Sequence, residues 1–144
     1  MMLAVASDHA GFELKQKIKE YLESEGHGVE DFGCYDAQSC DYPDYARKLC
    51  EALLDNKCER GVLICGTGLG MSYAANRYEG IRAALCLNTF MAEMSRAHND
   101  ANVLVLGSRI IDLAAARDIL RVWMETPFEG GRHLRRIRKI DGYE

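Results

Sequence analysis

The stretch GVLICGTGLGMSYAANR, residues 61–77, joins an apolar run to three alternating glycines and then to a pattern typical of a helix. This order predicts a buried β-strand that turns through a glycine-rich loop into a helix. Glycine lets the backbone turn tightly and bring its N–H groups close to an anion at the start of the helix. The stretch therefore predicts an anion-binding loop at the carboxyl end of a strand.

Short apolar runs alternate with longer amphipathic segments along the whole chain, which favours a parallel sheet covered by helices on both faces. The patterns predict strands at 3–6, 29–32, 61–65, 82–87 and 102–106. They predict helices at 10–25, 43–56, after the glycines, 89–96 and 113–125, with a basic C-terminal helix from about 129. Asp8 or Ser7 is expected to cap the first helix. We expect one domain, residues 1–144, with a Rossmann-like three-layer α/β/α fold and a five-stranded parallel sheet.

The composition argues against several classes of function. A net charge of −4 argues against a general nucleic-acid binder, which needs a basic surface. No segment approaches the roughly 20 apolar residues of a membrane span, and the N-terminus lacks signal-peptide features. We therefore expect a cytoplasmic protein with no membrane partner. The six cysteines show no CxxC pair and no metal-finger spacing, so free thiols, mostly in the core, are expected.

The glycine loop does not match the two common nucleotide-binding patterns. The dinucleotide pattern needs a glycine where Met71 stands and belongs after the first strand, whereas this loop follows the third. The P-loop needs Gly-Lys-Ser/Thr, and the sequence has no Lys between positions 58 and 138. A turn that only packs a helix on a strand remains the alternative to an anion site.

Cys65 lies where the strand meets the loop, and the positive end of the following helix should favour its thiolate. It is a candidate base or nucleophile, the alternative being an inert core thiol. Asp8 and His9 close the first strand, where they could handle hydroxyl protons or bind phosphate, although Asp8 could also only cap a helix.

Two further groups of residues have no assigned role at this point. His98 precedes the last strand, which puts it near the opposite end of the sheet from Cys65, and a plain surface position is the alternative. The C-terminal end is basic, and its residues fit either a solvated helix face or an anion site: Arg132, His133, Arg135, Arg136, Arg138 and Lys139.

Five segments together resemble the ribose-5-phosphate isomerase B family, also called the sugar-phosphate isomerase B or galactose-6-phosphate isomerase superfamily. They are ASDHAGFELK at 6–15, DYPDYA at 41–46, CGTGLGMSYAANR at 65–77, HNDANVLVLGSR at 98–109 and GGRHLRRI at 130–137. The resemblance covers nearly the whole chain. Some members have Ser in place of Cys65 and use a Glu at the position of Met71, so this chain resembles the Cys type.

The resemblance implies an aldose-ketose isomerase that interconverts ribose 5-phosphate and ribulose 5-phosphate in the pentose phosphate pathway. Cys65 would move the proton between C1 and C2 through an enediolate, with no metal and no cofactor. The other implied catalytic residues are Thr67 at the enediolate oxygen, His98 for ring opening and Asp8 at a sugar hydroxyl. The implied substrate and phosphate contacts are His9, Gly66, Gly68, Gly70, Asn99, Arg109, Arg132 and Arg136.

The family also implies a homodimer, or a dimer of dimers, whose active sites combine two subunits. His98, Asn99 and Arg109 would come from the partner, which accounts for their distance from Cys65. Three alternatives remain at this point: an isomerase of a six-carbon substrate such as allose 6-phosphate, a non-catalytic sugar-phosphate binding protein, and a thiol hydrolase. A hydrolase of the Cys type would carry C-x5-R, and position 71 is Met.

Overall fold

A computed structural model describes residues 1–142 of the chain. The strands in this part are β1 Met2–Ser7, β2 Gly28–Asp31, β3 Arg60–Cys65, β4 Ala83–Leu85 and β5 Val103–Gly107. The helices are α1 Phe12–Ser24, α2 Tyr42–Leu54, α3 Leu69–Ala75, α4 Thr89–Ala97, α5 Leu113–Glu125 and α6 Arg132–Ile140. The strands form one parallel sheet in the order β2-β1-β3-β5-β4. The predicted five-stranded parallel α/β fold is confirmed.

The chain changes direction across the sheet between β1 and β3. After β1 it moves through α1 to β2 on one side, and α2 then returns it to β3 on the other side of β1. In open parallel sheets, ligands bind outside the carboxyl ends of the strands at such a switch point. The residues that follow β1 and β3 are Asp8 and Gly66, so the fold opens its crevice beside the predicted site.

Alternation along each strand divides the core into two layers, because successive side chains point to opposite faces. Val5 and Ile64 pack with α1, α4 and α5 on one face, and the helix that fills this layer most is α5, with the fully buried Trp123. Leu63 and Val105 pack with α2 and α3 on the other face. The sheet is thus covered on both sides, as the near-continuous apolar strands predict.

Three predicted boundaries need correction. The first helix begins at Phe12 with Gly11 as its N-cap, not Asp8 or Ser7, because the chain makes one turn after β1 in which the Gly11 N–H donates to Asp8 Oδ1. The edge strand β4 is shorter than predicted, and the Arg82 N–H before it donates to the Asn102 side chain. The last helix begins at 132, because residues 130 and 131 are glycines with positive φ.

A buried lysine in α1 contacts the end of the edge strand β2. Lys15 is fully buried, and its Nζ lies 2.7 Å from Asp31 Oδ1 and also donates to the Cys34 carbonyl. The ion pair joins α1 to the end of β2, and the bond to Cys34 joins α1 to the segment that follows β2. Patterns of apolar residues cannot predict such a pair, since lysine is rarely buried without a partner.

No helix in residues 1–142 is long and apolar enough to cross a membrane. The cytoplasmic location stays a prediction.

Candidate active site

The loops after β1, β3 and β5 are hydrogen-bonded to one another at the carboxyl edge of the sheet. The Asp8 N–H donates to the Ile64 carbonyl, and the N–H groups of Ser108 and Arg109 donate to the carbonyls of Cys65 and Gly66. The Ser108 hydroxyl donates to the Ala10 carbonyl at 2.8 Å, which closes the ring of contacts. These bonds hold the loops in one rigid cluster, which we call the Cys65 cluster: Asp8, His9, Cys65, Gly66, Thr67, Gly68, Gly70 and Arg109.

Cys65 is the last residue of β3, and its thiol lies against the turn that follows. The Gly68 N–H donates to Cys65 Sγ at 3.2 Å, an arrangement that suits a thiolate. Gly68 has φ +84°, and a Cβ there would lie 2.5 Å from Leu85 Cδ1, so the turn requires glycine. The sulfur is therefore fixed in place by a backbone donor.

The glycine loop offers several amide donors. The N–H groups of Gly66, Thr67 and Gly70 have no protein acceptor among residues 1–142. The Thr67 hydroxyl accepts from the Leu69 N–H at 3.2 Å and is exposed. A cluster of free N–H groups beside a cysteine can hold an anionic oxygen close to a base or nucleophile.

Asp8 and His9 follow β1 on the neighbouring side of the crevice. Asp8 is buried, and one carboxylate oxygen accepts from the Gly11 N–H at 3.1 Å, which leaves the other for a ligand. His9 Nδ1 accepts from the Cys40 N–H at 3.2 Å. The proton of the neutral ring must then be on Nε2, which makes that nitrogen a donor toward an anion.

Arg109 belongs to the Cys65 cluster of its own chain. A Cβ on Gly66 would lie 3.1 Å from Arg109 Nη1, so the guanidinium packs directly over the loop. In its own chain Arg109 follows β5, whose carboxyl end adjoins that of β3, whereas His98 precedes β5. The expectation that a partner supplies Arg109 together with His98 stays a prediction.

Gly70 has a packing role that the sequence analysis did not predict. A Cβ on Gly70 would lie 2.6 Å from Cζ of Tyr42, whose ring covers the loop from the start of α2. Met71, the position of the alternative Glu, is fully buried and faces the core. Tyr42 and Cys40 thus contact the site. The sequence signal for Tyr42 is the DYPDYA segment, to which no role was assigned, and Cys40 directly precedes that segment.

A second group of residues lies at the opposite end of the sheet, near the amino ends of the strands. His98 is the C-cap of α4, and its ring stacks on that of His133 in α6, with centroids 4.2 Å apart and planes at 10°. From Val103 to Gly107 the sheet extends roughly 13 Å, so this group is far from Cys65 of the same chain. We call it the His98 cluster: His98, Asn99, Glu129, Arg132, His133 and Arg136.

The His98 cluster combines positive charge with buried imidazole. Burial lowers the pKa of His133, and the neighbouring His98, Arg132 and Arg136 lower this pKa further. Arg132 and Arg136 are exposed and four residues apart, hence on one side of α6. Within one chain, the predicted site residues therefore form two separate groups, the Cys65 cluster and the His98 cluster. The two groups lie far apart.

The comparisons with known proteins now identify the family. Residues 3–140 match the family described as ribose/galactose isomerase. The chain belongs to this family. It is similar to a crystal structure of a ribose 5-phosphate isomerase from Thermotoga maritima, with a TM-score of 0.96 and 57% identity over 98% of this chain and 97% of that one.

Two curated relatives are similar over almost their whole length. Ribose-5-phosphate isomerase B of Escherichia coli is 42% identical over 142 residues, which are 99% of this chain and 95% of the relative. D-erythrulose-4-phosphate isomerase of Pectobacterium atrosepticum is 40% identical over 146 residues, which are 100% of this chain and 95% of the relative. As a member of this family, the chain is a sugar-phosphate isomerase.

The cysteines of this isomerase are free thiols, as predicted. Burial raises the pKa of Cys50 to about 12 and that of Cys86 to about 11, so these two are neutral core residues. Cys65 is also buried, at 4% exposed, but differs from them in facing a backbone donor. The catalytic and binding roles of the predicted residues, Cys65 among them, stay predictions.

Proposed function

We propose that this isomerase interconverts ribose 5-phosphate and ribulose 5-phosphate, the aldose and ketose of the pentose phosphate pathway, with Cys65 as the base. The observation that supports this most is the position of Cys65 Sγ, 3.2 Å from the Gly68 N–H and beside the free amides of the loop. A base next to an anion hole is what proton transfer beside a carbonyl requires. The names of the Thermotoga and Escherichia coli relatives support the five-carbon substrate.

The reaction follows from the groups of the Cys65 cluster. The Cys65 thiolate removes the proton from C2 of the open-chain aldose, and the negative charge moves to the oxygen at C1. The amides of Gly66 and Thr67 donate to that oxygen as the charge develops. The free carboxylate oxygen of Asp8 takes the hydroxyl proton from the oxygen at C2 and passes it to the oxygen at C1. As the C2 carbonyl forms, the thiol returns its proton to C1, which leaves the ketose and restores the Cys65 thiolate.

Phosphate binding and ring opening need groups from both clusters. His9 Nε2 and the Arg109 guanidinium supply donors at the Cys65 cluster, and Arg132 and Arg136 supply positive charge at the His98 cluster. His98 is the group for ring opening. Since the two clusters lie at opposite ends of the strands, one complete site requires a second copy of the chain.

An apolar groove supports a two-fold arrangement of this kind. It has a volume of about 280 Å³ and lies along β4 and α4. Leu85, which contacts the backbone at Gly68, lines it together with the exposed Phe90 and Met91 and with Asn99. A two-fold contact pairs a surface with itself, so this groove would bring the Cys65 loop of one protomer close to His98 of its partner.

The test is turnover in heavy water. Wild-type protein given ribose 5-phosphate is expected to form ribulose 5-phosphate and to incorporate solvent deuterium at the carbon next to the carbonyl. The thiol proton exchanges with solvent between abstraction and return. A binding protein would give no exchange, and a hydrolase would release inorganic phosphate.

Two additions make the assay decisive. Cys65→Ala is expected to lose about 10²- to 10⁴-fold in kcat and still bind the sugar phosphate, since the amides and arginines remain. Parallel assays with allose 6-phosphate and D-erythrulose 4-phosphate compare kcat/KM for six, five and four carbons. A Cys65→Ala variant with most of its activity would exclude Cys65 as the base.

A further inference from the structure

Three side chains of the His98 cluster converge on one small volume. His98 ends α4, Glu129 lies in the connection between α5 and α6, and His133 is in the first turn of α6. Glu129 Oε1 lies 3.8 Å from His98 Nε2 and 3.7 Å from His133 Nε2. One potential ligand atom of each residue lies within 4.8 Å of those of the other two. The group offers two imidazole nitrogens and one carboxylate oxygen. Because the two rings are stacked with planes at 10°, the partly exposed His98 ring must turn before both nitrogens point at one ion.

Backbone hydrogen bonds hold these residues together. The Glu129 N–H donates to the Ala97 carbonyl at 3.0 Å, which joins the α5–α6 connection to the end of α4. The His98 N–H donates to the Met94 carbonyl and the His133 N–H to that of Gly130. The three side chains therefore start from fixed positions and not from a loose surface.

One ring nitrogen of this group has no hydrogen-bond partner. His133 is only 6% exposed, and its Nε2 finds no partner among residues 1–142. The Glu129 oxygen at 3.7 Å is too far for a hydrogen bond. Buried polar atoms are nearly always paired, so this nitrogen indicates a missing ligand.

We propose that His98, Glu129 and His133 form a binding site for a divalent transition-metal ion such as Zn²⁺, Ni²⁺ or Co²⁺. Imidazole and carboxylate together suit these ions, whereas Ca²⁺ and Mg²⁺ prefer sites made of oxygen alone. Ligand atoms around a tetrahedral zinc ion lie about 3.3 to 3.5 Å apart, so the three atoms here, which lie within 4.8 Å of one another, must come closer. Glu129 and His98 are more exposed than His133 and can make this movement. Arg132 and Arg136 repel a cation and limit the affinity.

Metal binding at this site has a consequence for isomerisation, and that consequence rests on the proposed role of His98. An ion that occupies His98 Nε2 removes the group assigned to ring opening. The ion would act as a reversible inhibitor and not as a cofactor. In the proposed dimer each composite site combines the Cys65 cluster of one chain with the His98 cluster of the other. One ion per chain would therefore block each site.

The first measurement is a titration of the whole, chelator-treated protein with Co²⁺, followed by its visible absorption. Wild-type protein is expected to bind one Co²⁺ per chain without the charge-transfer band that thiolate ligands produce. Glu129→Gln keeps the shape of an exposed side chain and should weaken binding at least about 10-fold. Glu125→Gln, another exposed carboxylate four residues earlier, should bind like the wild type. Equal affinity in both variants, or a thiolate band, would overturn the proposal.

The second measurement separates the metal site from the role of His98. Zn²⁺ is expected to inhibit the wild type and Glu125→Gln, with full recovery after addition of chelator. Each protein is compared with its own rate without metal, and Zn²⁺ should inhibit Glu129→Gln at least about 10-fold more weakly than the wild type. If Co²⁺ binds as expected and Zn²⁺ has no effect on turnover, the site stands and the assigned role of His98 is wrong.

Discussion

The Cys65 cluster and the His98 cluster are built in different ways. The first consists of backbone groups at the carboxyl ends of adjacent parallel strands, with three loops tied by main-chain hydrogen bonds. The second consists of side chains at the ends of α4 and α6, held by a ring stack between His98 and His133. Strand ends are neighbours in any parallel sheet, whereas helix ends meet only through the packing of the whole chain. The backbone end therefore supplies fixed donors, and the side-chain end supplies groups that can titrate, move and bind.

The largest expected effect tests whether the Cys65 cluster of one chain and the His98 cluster of another act in the same active site. Cys65→Ala and His98→Ala are each expected to lose about 10²- to 10⁴-fold in kcat. Mixing the two inactive proteins under conditions of subunit exchange should restore about one quarter of the wild-type rate, because half of the dimers are hybrids with one intact site.

Native mass spectrometry of chains of different mass provides the control for exchange. Hybrids that form and remain inactive would mean that both ends do not serve one composite site.

The Cys65 end depends on the buried Lys15 pair for stability. Lys15→Met leaves Asp31 without its partner and should lower the free energy of unfolding by about 3 to 5 kcal/mol. Urea unfolding measures this difference. Lys17→Met, an exposed position on the same helix, should change it by less than about 0.5 kcal/mol. Equal stability of the two variants would contradict a role for the pair.

At the His98 end, the arginines should act through phosphate binding. Arg132→Ala or Arg136→Ala is expected to raise KM for the phosphorylated sugar by about 10-fold, which corresponds to about 1.4 kcal/mol of lost binding. Arg138→Ala, on another side of α6, is the matched control and should leave KM unchanged. Steady-state kinetics decide the matter, and three identical KM values would return these arginines to an ordinary solvated helix face.

The smallest expected effect concerns the alkylation of the core thiols Cys50 and Cys86. The pKa of Cys50 is raised to about 12 and that of Cys86 to about 11, so both are protonated below those values. At pH 8 the thiolate fraction of Cys86 is about 10⁻³, and iodoacetamide should leave both residues unmodified in the folded protein. Mass spectrometry of peptides measures the labelling, and urea-unfolded protein serves as the control in which all cysteines react. Rapid labelling of Cys50 at pH 8 would contradict its neutral, buried state.

The Cys65 end could be predicted from the sequence because each of its parts is local. An apolar run followed by alternating glycines gives the strand, the loop and Cys65, and Asp8 and His9 end another apolar run. Arg109 follows the same rule, since it comes directly after β5 and lies beside Gly66 of its own chain.

The His98 end could not be predicted from the sequence in the same way. The contact of His133 with His98 joins residues 35 positions apart through the packing of α6 on the end of α4. No periodic pattern in the sequence predicts that contact, and the basic residues around His133 indicate a solvated face or an anion site instead. The ion pair of Lys15 with Asp31 could not be predicted for the same reason, since a buried charge needs a partner that only the fold brings near.

The short outer strands of the sheet affect whether the chain aggregates. In a single chain the groove along β4 and α4 is open to water, and exposed apolar surfaces of this kind promote aggregation. The edge strand β4 has only three residues, and β2 at the other edge has four, among them the exposed Glu30. Such edges offer few backbone groups to an incoming strand, and the charge of Glu30 opposes its pairing with β2. Growth into open-ended fibres is thereby discouraged, and in the proposed dimer the groove is covered by a closed contact between two chains.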